Sequence, residues 1–160
     1  MEIGLLLAIL GAASAVALGG IGSAVGVGLA GREGAGVLSE DPGKFGRLIL
    51  LVALPGTQGI YGFLAWFLVM VKIGLLGGNA IALTTEQGWA LFIACQPVAL
   101  ACLVSGIHQG KVCAAGAAMA AKKPEAAGKA LIFGAMVETY AVLGLIATIL
   151  ILNGIKLPVA

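Results

Sequence analysis

The chain has 160 residues, of which 61% are apolar and only 10% charged, with 26 glycines, a mean hydropathy of +1.12 and a formal net charge of +2. A soluble domain carries about 25% charged residues, so this composition cannot coat a globule and excludes an ordinary soluble domain. The net charge is too small to point to a nucleic-acid partner, and its placement along the chain is more informative than its size.

The charges are bunched. Residues 3–31, 48–71, 87–110 and 130–155 hold none except Glu138. Spanning a bilayer takes about 20 apolar residues, and every one of these stretches is longer than that. Four membrane-spanning helices are therefore predicted at about 3–37, 47–73, 87–120 and 129–154. Residues 73–85, "IGLLGGNAIALTT", are also uncharged, but Gly77-Gly78-Asn79 breaks them, and 76–86 reads as a connection between hairpins 1–75 and 87–160. Met1-Glu2 puts no basic segment ahead of the first apolar run, so a cleaved signal peptide is not expected.

Seven of the nine basic residues (Arg32, Lys44, Arg47, Lys111, Lys122, Lys123 and Lys129) lie in or near the first and third connections, against Lys72 and Lys156 on the other side. The excess of cations in cytoplasmic loops then places those two connections in the cytoplasm and both termini outside. Cys95, Cys102 and Cys113 all fall on the third span with no His or carboxylate at ligand spacing. They read as small apolar fillers, and neither a disulfide framework nor a metal site is expected of them.

The chain is a duplication. Laid against itself without gaps so that Ser23 meets Ser105, it also matches Val16-Ala17-Leu18 with Val98-Ala99-Leu100, Pro42 with Pro124, Thr57 with Thr139 and Gly62 with Gly144. The unit is a helical hairpin present twice in the same orientation. The polar equipment is not duplicated: Glu138 stands opposite Gly56, and Gln109 opposite Val27. One site per four helices follows.

Residues 26–31, "GVGLAG", match the dinucleotide-binding pattern G-x-G-x-x-G, but no strand precedes them and they lie inside an apolar helix. The glycines have a simpler reading. Gly22, Gly26, Ala30 and Gly34 recur every four residues on the first helix, as do Gly106, Gly110, Ala114 and Ala118 on the third. Small residues so spaced let helix backbones approach closely in lipid. This suits either the inner layer of a ring or tight packing within one chain. The bulkier second and fourth helices, with Phe63, Trp66, Phe67, Phe133 and Tyr140, would form an outer layer.

Glu138 interrupts "FGAMVETYAVLGLIATILIL", residues 133–152. An acid at the bilayer centre costs about 2.5–3.5 kcal/mol or more, so intramembrane carboxylates mark function. Its partners can be sought by depth, at about 1.5 Å per helical residue. Glu138 is nine residues past Lys129, Gln58 eleven past Arg47, and Gln109 thirteen before Lys122. All three reach the middle of a ~30 Å core. Thr57 and Tyr61 share the level of Gln58, and Pro55 marks a helix break where nearby carbonyls, such as that of Leu54, can turn towards a ligand. One carboxylate among amide, hydroxyl, carbonyl and phenol oxygens suits a hard monovalent cation. His108 sits one step, or 100°, from Gln109 and is expected to face away from the site. Lys111 has no reading beyond snorkelling or facing a ring interior.

"LPGTQGIYG" on the second helix, "SGIHQGK" on the third and "AAKKPE" followed by "AMVETYA" on the last hairpin resemble the rotor-ring subunit of V-type (A/V-type) ATPases. This is the proteolipid, or subunit K, and the likeness is greatest to its bacterial sodium-pumping form. It covers nearly the whole chain, including the acid missing from the first hairpin. The resemblance implies an all-α protein assembled into a homo-oligomeric ring in the cell membrane. The ring turns against a stator membrane subunit and meets central-stalk subunits at its cytoplasmic loops, 38–46 and 121–128. It implies Na⁺ ligation by the Leu54 carbonyl, Thr57, Gln58, Gln109 and Glu138, with Tyr61 locking the glutamate. Such a subunit hydrolyses nothing and binds no nucleotide or organic cofactor. A proton-carrying ring of the same family is the alternative. A small cation antiporter is less well supported, because Trp66 and Trp89 lie away from the depth of the acid.

Overall fold

The computed structural model describes residues 2–157. Five α-helices follow one another: α1 Ile3–Glu40, α2 Phe45–Ala53, α3 Thr57–Lys72, α4 Thr85–Lys122 and α5 Ala127–Gly154. Single 3₁₀ turns occur at Pro42–Lys44, Leu54–Gly56 and Pro124–Ala126, and no strand occurs among the described residues. Helices α2 and α3 are one membrane span interrupted at Pro55, so four spans are long and apolar enough to cross a bilayer. The helices run beyond the predicted apolar stretches, α1 to Glu40 and α4 from Thr85 to Lys122, because polar residues continue a helix once it has emerged into water.

Each turn has its own polar fastening. Asp41 accepts from the Gly43 N–H at 3.0 Å and precedes Pro42, whose fixed φ suits the first position of a turn. Lys44 donates from Nζ to the Ala121 carbonyl at 2.9 Å, one of the terminal carbonyls of α4 that lack a helical partner. That bond ties the first connection to the third. At the opposite end Thr84 and Gln87 form a reciprocal capping box for α4. Glu2 accepts from the Leu83 N–H at 3.1 Å, so the start of α1 is held against the connection that leads into α4.

Helices α1 and α4 make the closest approach. A side chain at Gly22 would meet the backbone of Cys102 and Leu103, and one at Gly26 would meet Gly106. One at Gly106 would meet Gly22, and one at Gly110 would meet Gly26. Lipid tails are as apolar as leucine, so helices in a bilayer associate through van der Waals packing rather than hydrophobic exclusion. Removing the side chains lets the two backbones touch. The small-residue stripe thus joins the two hairpins of one chain. Gly34 leaves this pattern, facing the Val52 side chain of α2 instead of α4.

Helices α3 and α5 flank this pair, with Phe63, Phe67, Phe133 and Tyr140 exposed and Trp66 half-buried. The three cysteine thiols are free and buried among apolar neighbours. Residues 26–31 lie within the unbroken α1.

Candidate intramembrane ion site

Pro55 has no N–H, so the helical ladder through Leu54–Gly56 fails and tightens to a 3₁₀ turn. Two consequences matter for the site. The Leu54 carbonyl accepts both the backbone N–H and, at 3.0 Å, the hydroxyl of Thr57. The Gly59 N–H, in the first turn beyond the break, donates at 2.7 Å to Ser23 of α1, which pins the restarted helix.

The restart presents Gln58 and Tyr61 to the second hairpin. Gln58 and Gln109 are fully buried, and Gln58 Nε2 donates to Gln109 Oε1 at 2.6 Å. Gln109 Nε2 donates in turn to the Gly134 carbonyl at 3.0 Å and, more weakly at 3.5 Å, to Glu138 Oε2. Tyr61 donates its phenol proton to Glu138 Oε1 at 2.6 Å. The Thr57 hydroxyl lies 3.5 Å from Gln58 Oε1. Leu54, Thr57, Gln58, Tyr61, Gln109 and Glu138 therefore form one connected network drawn from α3, α4, α5 and the 3₁₀ turn. All the residues singled out by depth are brought together.

Buried amides are tolerated only when satisfied, and here each supplies the other. Glu138 is half-buried and also lines a surface groove with Ala135, Thr139, Val142 and Leu143. The carboxylate is thus held from inside and reachable from the membrane side. Glu138 is the one carboxylate in the network, and no group of three or more His, Cys, Asp or Glu that could hold a metal ion occurs among the described residues. Oxygen donors around a single negative charge match a hard monovalent cation better than a divalent or a soft one.

His108 is exposed on the other side of α4, in a groove with Val104, Ser105 and Tyr140. Lys111 is exposed beside it. Two participants had no distinct sequence signal. Ser23 reads only as a match to Ser105, and the Gly134 carbonyl belongs to a backbone whose partners depend on tertiary packing.

Two tandem membrane hairpins that share one carboxylate-centred network define a multi-pass membrane protein of the duplicated-hairpin class. The ATP synthase C-subunit family matches the chain twice, over residues 10–69 and 92–151, in the same register that sets Ser23 against Ser105. The chain is 46% identical over 151 residues to the V-type sodium ATPase subunit K of Enterococcus hirae, covering 94% of this chain and 93% of that one. It is 41% identical over 151 residues to the A-type ATP synthase subunit K of Methanocaldococcus jannaschii, covering 94% of this chain and 64% of that longer one. The chain belongs to the ATP synthase C-subunit family, and is a rotor-ring subunit of an ATPase.

Proposed function

We propose that the ring built from this chain carries Na⁺ across the membrane on Glu138. The observation that supports it most directly is the hydrogen-bonded chain that runs from the Leu54 carbonyl through Thr57, Gln58 and Gln109 to that carboxylate, each member carrying an oxygen able to bind a cation. The bacterial relative carries sodium in its name. Gln109 Oε1 accepts from Gln58 in the present arrangement, so it turns to the ion only as that bond is given up. Tyr61 then holds Glu138 Oε1 and fixes which lone pairs remain for the cation.

Loading and release follow from Glu138 being reachable at the surface groove. Against a charged group of a stator subunit the carboxylate would exchange its ion, and facing lipid it would stay neutralised, because a bare charge in hydrocarbon is costly. The subunit itself hydrolyses nothing. ATP chemistry belongs to a soluble headpiece coupled through central-stalk subunits that contact the first and third connections. Those connections face the cytoplasm and both termini lie outside, as the distribution of Lys and Arg supports.

Dicyclohexylcarbodiimide reacts with a protonated buried acid, so its labelling of Glu138 tests the reading. At fixed pH, added Na⁺ should slow labelling. The Na⁺ required should rise as pH falls, since protons compete for the same oxygens. K⁺ should protect poorly, because a larger ion would force the Thr57, Gln58 and Gln109 oxygens apart. Labelling that follows pH and ignores Na⁺ would make this a proton-carrying ring.

A further inference from the structure

The contacts between α1 and α4 climb in step: Gly11 at Phe92, Gly22 at Leu103, Gly26 at Gly110. Each residue of the first hairpin thus lies close to level with its own equivalent in the second copy of the repeat. The operation relating the hairpins adds almost no rise along the helix axes. Repeating a head-to-tail contact without rise leads to closure rather than a filament.

The repeat also says which surfaces are left over. The α1 face that meets α4 (Gly4, Gly11, Gly22, Gly26) corresponds on α4 to Glu86, Ile93, Val104 and His108, and all four are exposed. The α4 face that meets α1 (Gly88, Phe92, Leu103, Gly110) corresponds on α1 to Leu6, Leu10, Ile21 and Gly28, again all exposed. Each hairpin therefore carries an uncovered version of the surface its sister has buried.

The uncovered α4–α5 face holds a groove of about 500 Å³ containing Val104, Ser105, His108 and Tyr140. Ser105 is only 4% exposed and its hydroxyl has no hydrogen-bond partner among the described residues, whereas its equivalent Ser23 accepts from Gly59. Between copies the ion site would recur with Tyr140 in place of Gln58, Val27 in place of Gln109 and Gly56 in place of Glu138. It keeps Thr139 and the Met136 carbonyl, to which the Thr139 hydroxyl donates at 2.7 Å as Thr57 does to Leu54.

Side chains are larger across this second contact. Val104 and His108 stand where Gly22 and Gly26 let backbones touch, while a side chain at Gly28 would meet nothing within 4 Å. We propose that this groove receives the first hairpin of a second copy, with His108 against Gly28 and Tyr140 against Val27 of that copy. The gap so filled is wider than the one between the two hairpins of a single chain. The ring then alternates close α1–α4 contacts within chains and wider, side-chain-filled contacts between them. This rests on the ring reading above, and adds its register.

A size swap tests it by native mass spectrometry of detergent-extracted protein. Gly28→Leu should cut the assembled fraction by about tenfold or more through overpacking, while the chain keeps its membrane yield and helical circular dichroism. Adding His108→Gly should restore the ring, and His108→Gly alone should still assemble. Cysteines placed at Val104 and Ile21 should cross-link between copies into a ladder. Intact rings in Gly28→Leu, or no restoration by His108→Gly, would overturn this register while leaving the ring itself standing. An unmodified chain that extracts as a monomer would sink the ring reading, and the register with it.

Discussion

The two hairpins share a fold and differ in what they do with it. In the first, Pro55 breaks the outer helix, Ser23 captures the freed Gly59 N–H, and the restart aims Gln58 and Tyr61 across the molecule. In the second, α5 runs unbroken from Ala127 to Gly154, Ser105 has no hydroxyl partner among the described residues, and the helix contributes Glu138. The second hairpin has its proline within a span in α4 instead, at Pro97, where the next N–H, of Val98, donates to Thr148 of α5. Each hairpin thus has one disturbed helix, mended by a hydroxyl from its neighbour. Only the first disturbance opens oxygen donors towards the acid. A duplication that retained both acids would place two sites per chain. With one acid for two hairpins, the first hairpin supplies hydrogen-bonding groups to the single acid of the second.

The comparison breaks most completely at the acid. Glu138→Gln should leave rings assembled and abolish transport, because the amide keeps the shape and loses the charge; vesicle Na⁺ uptake measures it, and surviving transport would refute the mechanism. Gly26→Leu should come next. Its side chain would run into the Gly106 backbone inside the chain, where no flexible group can yield. Folded protein, and not merely the ring, should be lost, which membrane yield and thermal unfolding would show.

A finer contrast sets two equivalent threonines against each other. Thr57→Ala should weaken Na⁺ protection of Glu138 by about 10- to 100-fold, the range expected on losing one bond to a charged group. The labelling reaction itself should persist, since that hydroxyl does not carry the proton. Thr139→Ala removes the same local hydroxyl–carbonyl bond at the equivalent position, exposed rather than turned into the network. It should change protection by less than about twofold, because that hydroxyl bonds the Met136 carbonyl and not the network, and exposed substitutions of this kind have small effects. Equal effects at Thr57 and Thr139 would mean that both hairpins contribute alike.

Much of this was legible without coordinates. Four spans follow from where charges are absent, the duplication from a single shift, and Glu138 from the cost of an acid in hydrocarbon. Depth counting also grouped Gln58, Gln109, Thr57 and Tyr61 with it, because a membrane turns sequence distance from a loop into a common coordinate. What counting along a helix cannot supply is the partner across it. That Gln58 bonds Gln109, that Gln109 bonds the Gly134 carbonyl, and that Ser23 mends the break past Pro55 depend on how the helices rotate against one another. The same holds for the glycine stripe: its spacing is a property of one helix, but whether it faces a sister hairpin or another chain is a property of the pair. Tertiary packing decided that Gly22 and Gly26 close on Gly106 and Gly110 within the chain. Backbone contact is short-ranged, so small residues serve it only on a face that packing turns towards a neighbouring helix.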